Sequence, residues 1–284
     1  MAIANMRQML QEARQGQYAV GAFNILDYNS MRAVVDAAAE LQAPVIIQTS
    51  VKTVVFWGCE PIIQWYRQLA GAVSVPVAIH LDHCKDLDVI RQCIKHGWTS
   101  VMIDASAKPF TENLALTQQV AEMAALKDIT VDAEMGAIVG VEDDIHVKEQ
   151  DAHLADPDEA LRFCEAVSLD CFAPAIGTAH GIYKGEPRVD FERLDKIARG
   201  TGLPLALHGG TGLPDEVFRR AIALGCAKVN ISTSLKHVFI DSFDEYRREH
   251  GAEYEPIKVI ARQLEALREK VSGFVRLFGG QGKA

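Results

Sequence analysis

The stretch Ala78-Ile79-His80-Leu81-Asp82-His83 is an apolar run that ends abruptly in an acid and two histidines. Two later stretches, Ile176-Gly177-Thr178-Ala179-His180-Gly181 and Leu205-Ala206-Leu207-His208-Gly209-Gly210-Thr211, end in the same way, with histidine followed by glycine. Neutral imidazole nitrogens bind zinc well, and three protein ligands leave a fourth position open for substrate. His83, His180 and His208 at three strand ends therefore point to a catalytic Zn²⁺ site; the competing reading is three unrelated histidines that cap strands. His80 alternates with Asp82 along its strand, which places it behind the site or in the core. Cys84 starts the following loop and reads as a plain small residue.

Other groups stand at comparable positions. A carboxylate beside a metal can move a proton to or from a substrate hydroxyl, which is the reading for Asp82. The alternative is that Asp82 orients a ligand histidine. Asp104 and Glu134 end neighbouring strands. They could bind the metal in an alternative position or hold the ligand histidines by hydrogen bonds. His208-Gly209-Gly210-Thr211-Gly212 and Asn230-Ile231-Ser232-Thr233-Ser234 offer backbone N–H groups and hydroxyls, the chemistry of a phosphate site.

Strands must position these groups. Val- and Ile-rich runs at Val20–Asn24, Pro44–Ser50, Val77–Asp82, Ser100–Asp104, Thr130–Glu134, Cys171–Ile176, Pro204–His208 and Lys228–Ile231 read as parallel strands buried on both faces. Helical spacing lies between them, as in Ser30 to Leu41 and in Leu87 to His96, which Gly97 terminates. Asp156-Pro157-Asp158-Glu159 and Pro214-Asp215-Glu216 open further helices, and two more follow Ser234, separated near His250–Pro256. Eight βα units predict an α/β fold, the (β/α)₈ TIM barrel, in a single domain over 1–284 with additional C-terminal helices. The strand-end groups Asn24, Ser50, Asp82, His83, Asp104, Glu134, His208 and Asn230 all lie at the carboxyl ends, the catalytic face of that barrel, with His180 just past its strand. The long connection Gly136–His153, with the acids Glu142, Asp143 and Asp144, reads as a lid or binding loop.

The totals narrow the function. A net charge of -9 argues against general binding to nucleic acid or anionic membranes. No run reaches the length of a membrane span, and no secretory segment stands out. The six cysteines form no CxxC pair and read as reduced thiols of a cytoplasmic protein.

With these motifs in place, the chain resembles the class II, zinc-dependent ketose-bisphosphate aldolases of the fructose- and tagatose-bisphosphate type over nearly its whole length. Ala22-Phe23-Asn24, His80-Leu81-Asp82-His83, Ser100-Val101-Met102-Ile103-Asp104, Ala133-Glu134-Met135-Gly136, Val141-Glu142-Asp143-Asp144, Gly177-Thr178-Ala179-His180-Gly181, Leu207-His208-Gly209-Gly210-Thr211-Gly212 and Lys228-Val229-Asn230-Ile231-Ser232-Thr233 carry it. The resemblance implies reversible cleavage of a ketose 1-phosphate to dihydroxyacetone phosphate and an aldehyde, by default glyceraldehyde 3-phosphate. It gives His83, His180 and His208 to zinc, Asp82 to the proton of the C4 hydroxyl, and Glu142 to the C3 proton. It sets Asn24, Ser50, Gly181, Gly209, Gly210, Thr211, Asn230, Ile231, Ser232 and Thr233 against substrate. A monovalent cation, Na⁺ or K⁺, near Gly181 and Gly209 and a homodimer or homotetramer are implied by the resemblance alone.

Three positions depart from the family pattern. Ala105-Ser106-Ala107 stands for Gly-Ser-His, Val139-Gly140 for two glycines, and Glu255-Pro256-Ile257-Lys258 for the Asp-Pro-Arg segment whose arginine grips the distal phosphate. Isoleucine cannot hold a phosphate, and Lys258 offers a point charge without the bidentate fork of arginine. Substrates with a neutral, deoxy or sulfonated distal end therefore compete with the bisphosphates. A Schiff-base aldolase would need Lys228 or Lys184; Lys228 opens its strand and is expected at the wrong end of the barrel. A non-catalytic structural or regulatory barrel would have lost ligands that this chain keeps.

Overall fold

A computed structural model describes residues 2–142, 145–147, 153–181 and 187–284, with backbone alone for 139, 141, 142 and 145–147. The strands are β1 (Val20–Asn24), β2 (Val45–Thr49), β3 (Val77–Cys84), β4 (Ser100–Ile103), β5 (Thr130–Met135), β6 (Val139–Glu142), β7 (Ile145–Val147), β8 (Cys171–Pro174), β9 (Ala179–His180), β10 (Leu205–Leu207) and β11 (Cys226–Ile231). Eight of them close a parallel barrel in the order β1-β11-β10-β8-β5-β4-β3-β2. These are the eight runs expected from sequence, and the fold is the (β/α)₈ barrel with extra C-terminal helices, Thr233–Glu249 and Pro256–Leu277.

Strand alternation sorts side chains between two cores. Phe23, Ile47, Ile79, Leu81, Val131, Ala133, Val229 and Ile231 point outward into the large apolar layer beneath the helices. Val20, Ala22, Ile46, Ala78, Cys171, Ala173 and Ala206 point inward and pack on Met6, Met9, Leu10 and Ala13 of the helix Met6–Gln15, which plugs the amino-terminal end. Small inward residues leave space higher in the barrel, and polar side chains fill it. By the same alternation His80 and Asp82, Asp132 and Glu134, and Lys228 and Asn230 project inward in stacked pairs.

Caps set the helix ends. Asp27 and Ser30 form a reciprocal capping box at Tyr28–Glu40. Asp156 accepts from the amides of Asp158 and Glu159 at Pro157–Ala166. Gly97 ends Leu87–His96 in the left-handed conformation, at a φ of 107°. Among the described residues, no helix is long and apolar enough to cross a membrane.

The connection Gly136–His153, read from sequence as a lid or binding loop, has strand structure of its own. It contains the antiparallel pair β6–β7, and β6 also pairs in parallel with β9. The alternation in Val139-Gly140-Val141 and Ile145-His146-Val147 suits strands, and pairing supplies partners for backbone groups that a loop would leave to water. Asp143 and Asp144 lie outside the described residues.

Candidate active site

His83 ends the inward run of β3 with a positive φ of 46°, which turns its ring toward the barrel axis. His180 arrives on β9, outside the barrel sheet, and His208 directly follows β10. One ring nitrogen from each of the three lies within 4.8 Å of the others. His83 Nδ1 donates to Asp104 Oδ2 at 3.0 Å, and His208 Nδ1 donates to Glu134 Oε2 at 2.9 Å. In the neutral rings these bonds put the proton on Nδ1 and leave the lone pair on Nε2. Nε2 of both His83 and His208 is buried without a hydrogen-bond partner. Carboxylate-held histidines with bare, convergent nitrogens are the donor set of a divalent metal centre, so the residues fit the zinc expected from sequence. His83, Asp104 and Glu134 form a second possible ligand group, which leaves the alternative metal position open.

Electrostatics agree with that fit. Burial, with the charge of His83, lowers His180 to about 3. The same two causes hold His208 well below the ordinary histidine value. Burial also works against charge on His83, but Asp82, the bond to Asp104 and the nearby Glu134 together raise it well above normal. Burial pushes the Asp104 carboxyl up, and the bond and charge of His83 more than reverse this. Burial and the Asp104 charge push Glu134 well above its usual range. Two neutral rings beside a cluster of acids form a cavity that favours a cation. Ser106 steadies Asp104 through a 2.6 Å hydroxyl bond.

Asp82 stands beside this centre. Asn24 Nδ2 donates to its Oδ2 at 3.0 Å, and Asn230 Nδ2 donates to its Oδ1 at 3.1 Å. Gln48 Nε2 fixes the Asn24 amide by donating to its Oδ1 at 2.8 Å. Strands β1, β2, β3 and β11 thus converge on one carboxylate, a group of the type that can exchange a proton with a hydroxyl.

On the β10–β11 sector, Gly209 has a φ of 68°, and a Cβ there would stand 2.5 Å from the Ala179 carbonyl oxygen. Only glycine permits that approach. Gly181 also has a positive φ, 83°. Thr211 Oγ1 accepts from the Ser234 amide at 3.2 Å. The helix Thr233–Glu249 begins here without a side-chain cap, and Ser232 Oγ and Asn230 Oδ1 are buried without partners. Ile231 turns its side chain into the outer core, so its backbone is the part that faces the site. Ser50 sits at the end of β2, where its Oγ caps the helix Val51–Trp57 by accepting from the Thr53 amide at 3.2 Å. Glu142 ends β6; its side chain, like Lys184, lies outside what is described.

Lys228 corrects one expectation. It is the third residue of β11, not its opening, because the strand begins at Cys226. Its Nζ lies inside the barrel, 2.9 Å from Asp132 Oδ2 and 3.5 Å from His80 Nε2. His80 Nδ1 pairs with Ser100 Oγ at 2.7 Å, and Ser100 in turn donates to the Thr130 carbonyl at 3.3 Å. Burial opposes the Lys228 charge, but Asp132 outweighs it and keeps the pKa above normal. A lysine held as an ammonium is no Schiff-base nucleophile. Sequence reasoning missed Gln48 and Asp132, and it named Ser106 without its bond to Asp104. The two-residue inward period gives Asp132 below Glu134 and Gln48 below Ser50, whereas Ser106 lies in the turn after β4, where no strand period reaches.

Gly140 gives a local prediction. Its φ is 119°, and a Cβ would fall 2.2 Å from the His180 carbonyl oxygen. Gly140→Ala should push β9 and His180 out of place and weaken metal affinity by the order of tenfold, the scale seen when a ligand loses its support. Competition with a chromogenic chelator measures this; an unchanged constant would show that β6 does not position His180.

A closed parallel barrel with three convergent histidines at its carboxyl face is the frame of a barrel enzyme with a candidate metal centre. The chain belongs to the class-II fructose-bisphosphate aldolase family, whose model matches residues 4–283. It is 40% identical over 287 residues to the fructose-bisphosphate aldolase of Geobacillus stearothermophilus, covering 100% of this chain and 99% of that one. The crystal structure of the YdjI aldolase of Escherichia coli K12 superposes with a TM-score of 0.88 at 32% identity, over 99% of both chains. That of a putative fructose-1,6-biphosphate aldolase from Coccidioides immitis gives a TM-score of 0.87 at 26% identity, covering 97% of this chain and 96% of that one. The protein is therefore an aldolase, a carbon–carbon lyase, of a generally metal-dependent family.

Proposed function

We propose that this aldolase is zinc-dependent and cleaves a ketose 1-phosphate between C3 and C4, reversibly, to dihydroxyacetone phosphate and an aldehyde. The observation that carries this reading is the meeting of His83, His180 and His208 beside an Asp82 gripped by Asn24 and Asn230. Zinc bound there supplies Lewis-acid stabilisation of the charge that develops on the substrate oxygens. Asp82 takes the C4 hydroxyl proton as the aldehyde forms and returns it in condensation. The C3–C4 electron pair passes to the dihydroxyacetone phosphate half, and Glu142 is assigned the proton delivered to C3. Gly209 to Thr211 and Asn230 to Thr233 hold the phosphate; the unpartnered Ser232 hydroxyl and the uncapped helix start support this. A monovalent cation beside Gly181 and Gly209 and a homodimer or homotetramer belong to the same reading.

The distal end is the open choice. Fructose 1,6-bisphosphate and tagatose 1,6-bisphosphate are the default substrates. A specific observation favours a substrate without the distal phosphate: Ile257 is 68% exposed, and Lys258 is paired with Glu253 on the same surface.

The test is release of dihydroxyacetone phosphate from both bisphosphates, fructose 1-phosphate and a 6-sulfonated ketose 1-phosphate, each with and without EDTA. Cleavage should fall by at least about 10²-fold with EDTA and return with zinc, in line with the several kcal/mol a metal contributes. Release that ignores EDTA removes the zinc reading; no release from any of the four removes these substrates and leaves an untested aldehyde or a non-catalytic barrel.

A further inference from the structure

The helix Cys59–Gly71 lies between β2 and β3 in the chain, and the helix Leu87–His96 follows β3. The two pack side by side. Arg67 Nη2 donates to the His96 carbonyl at 3.2 Å, and a Cβ on Gly97 would stand 4.0 Å from Ile63. One turn before Ile63 and one turn before Gly97, the Cys93 thiol donates a hydrogen bond to the sulfur of Cys59. The helices therefore run in the same direction, and two thiols far apart in sequence touch where they meet.

The two thiols are unlike. Cys93 is buried in the large apolar layer, whereas Cys59 is half-buried at its edge. Cys59 opens its helix, where no side chain caps the first amides. A helix start and a donated hydrogen bond both favour a thiolate. The bond from Cys93 is the main cause that brings Cys59 down to about 7; burial works against it, and His96 adds to it. The same bond, with burial, holds the Cys93 thiol well above the usual range. Burial pushes Cys164 and Cys226 up to about 12. Cys84 gives its S–H to the Asp86 carbonyl at 3.3 Å. The backbone around Cys59 is also a joint. Gly58 separates the helices Val51–Trp57 and Cys59–Gly71 at a φ of 81°, and a Cβ there would stand 3.8 Å from Pro61 Cδ, an ordinary contact. Cys59 thus has room to move the short way to its partner.

We propose that Cys59 and Cys93 are a peroxide-reactive thiol pair, with Cys59 the attacking sulfur and Cys93 the resolving one, and that oxidation closes an intramolecular disulfide between them. The Cys59 thiolate attacks one peroxide oxygen. The O–O bond breaks, hydroxide leaves, and Cys59 becomes a sulfenic acid. The Cys93 sulfur then attacks the Cys59 sulfur. The S–O bond breaks, and the departing hydroxide takes the Cys93 proton and leaves as water. The two sulfurs together lose two electrons, which the peroxide gains. The bridge encloses the whole of β3 and ties the segment after Ser50 to the segment after His83.

The full-length, zinc-loaded protein, reduced and freed of reductant, is treated with hydrogen peroxide, blocked with N-ethylmaleimide, digested and mapped by mass spectrometry. The expected product is one peptide pair joined through Cys59 and Cys93, lighter by two hydrogens, with free thiols in denaturant falling from six to four. Iodoacetamide should label Cys59 about threefold faster than free cysteine at pH 7, because a larger thiolate share outweighs the lower nucleophilicity of a less basic sulfur. Cys93→Ser should stop the bridge and leave a Cys59 sulfenic acid that dimedone traps; Cys59→Ser should stop both. If peroxide leaves all six thiols free, the pair is two small apolar residues at a helix contact and the inference falls. A bridge between other cysteines or between two molecules overturns it, as does a Cys59 sulfinic acid formed in the parent with Cys93 still free.

Discussion

His180→Ala is expected to abolish tight zinc binding and to lower cleavage by about 10³-fold or more, since a metal's contribution to charge stabilisation is several kcal/mol and each 1.36 kcal/mol is tenfold. The effect should exceed that of Glu134→Gln, which removes the carboxylate on His208 Nδ1 while leaving all three imidazoles and should cost about 10- to 100-fold. His180 sits on β9, whose only strand partner among the described residues is β6, so its removal leaves the barrel ladder untouched. Near-UV circular dichroism should therefore stay native while zinc titration and turnover fail together. Turnover close to that of the parent would sink the metal assignment, because no rearrangement of His83 and His208 alone restores a third imidazole.

Lys228→Met should produce the largest stability loss. Lys228 and Asp132 are both 0% exposed, and the methionine would leave the Asp132 carboxylate inside the barrel with His80 Nε2 4.0 Å away and Oδ1 already without a partner. Removing one member of such a pair costs about 3–5 kcal/mol. For a chain of this size that corresponds to a fall in Tm of roughly 5–10 °C, readable by calorimetry. Lys228→Met combined with Asp132→Leu should recover most of the loss, because no uncompensated charge remains. A single variant with the parental Tm would mean that water or another cation satisfies Asp132.

The barrel was legible because its strands are continuous apolar runs, and because the groups that matter sit where those runs stop. Asp82 and His83 after Ala78-Ile79, and His208 after Leu205-Ala206-Leu207, could be located without coordinates. Asp104 and Glu134 were legible as strand ends, but their division of labour was not. Which histidine each carboxylate holds depends on neighbour relations among β3, β4, β5 and β10 that no local pattern encodes. The helix Met6–Gln15 went unread because it is short and is stabilised by the barrel floor it plugs.

Periodicity and residue type were sufficient for the barrel and for three imidazoles that meet at one of its ends, since a two-residue strand period and an apolar-to-polar break are local properties. Packing had to decide the rest. It placed Lys228 inside with Asp132 and not at the far rim, because strand β11 starts two residues earlier than its polarity suggests. It tied β6 to β9, so that the connection carrying Glu142 shares a sheet with His180. It gathered Asn24, Gln48 and Asn230 around Asp82 from strands far apart in the chain. Hydrogen bonds of that kind depend on side-chain direction and inter-strand register, and both exist only once the barrel has closed.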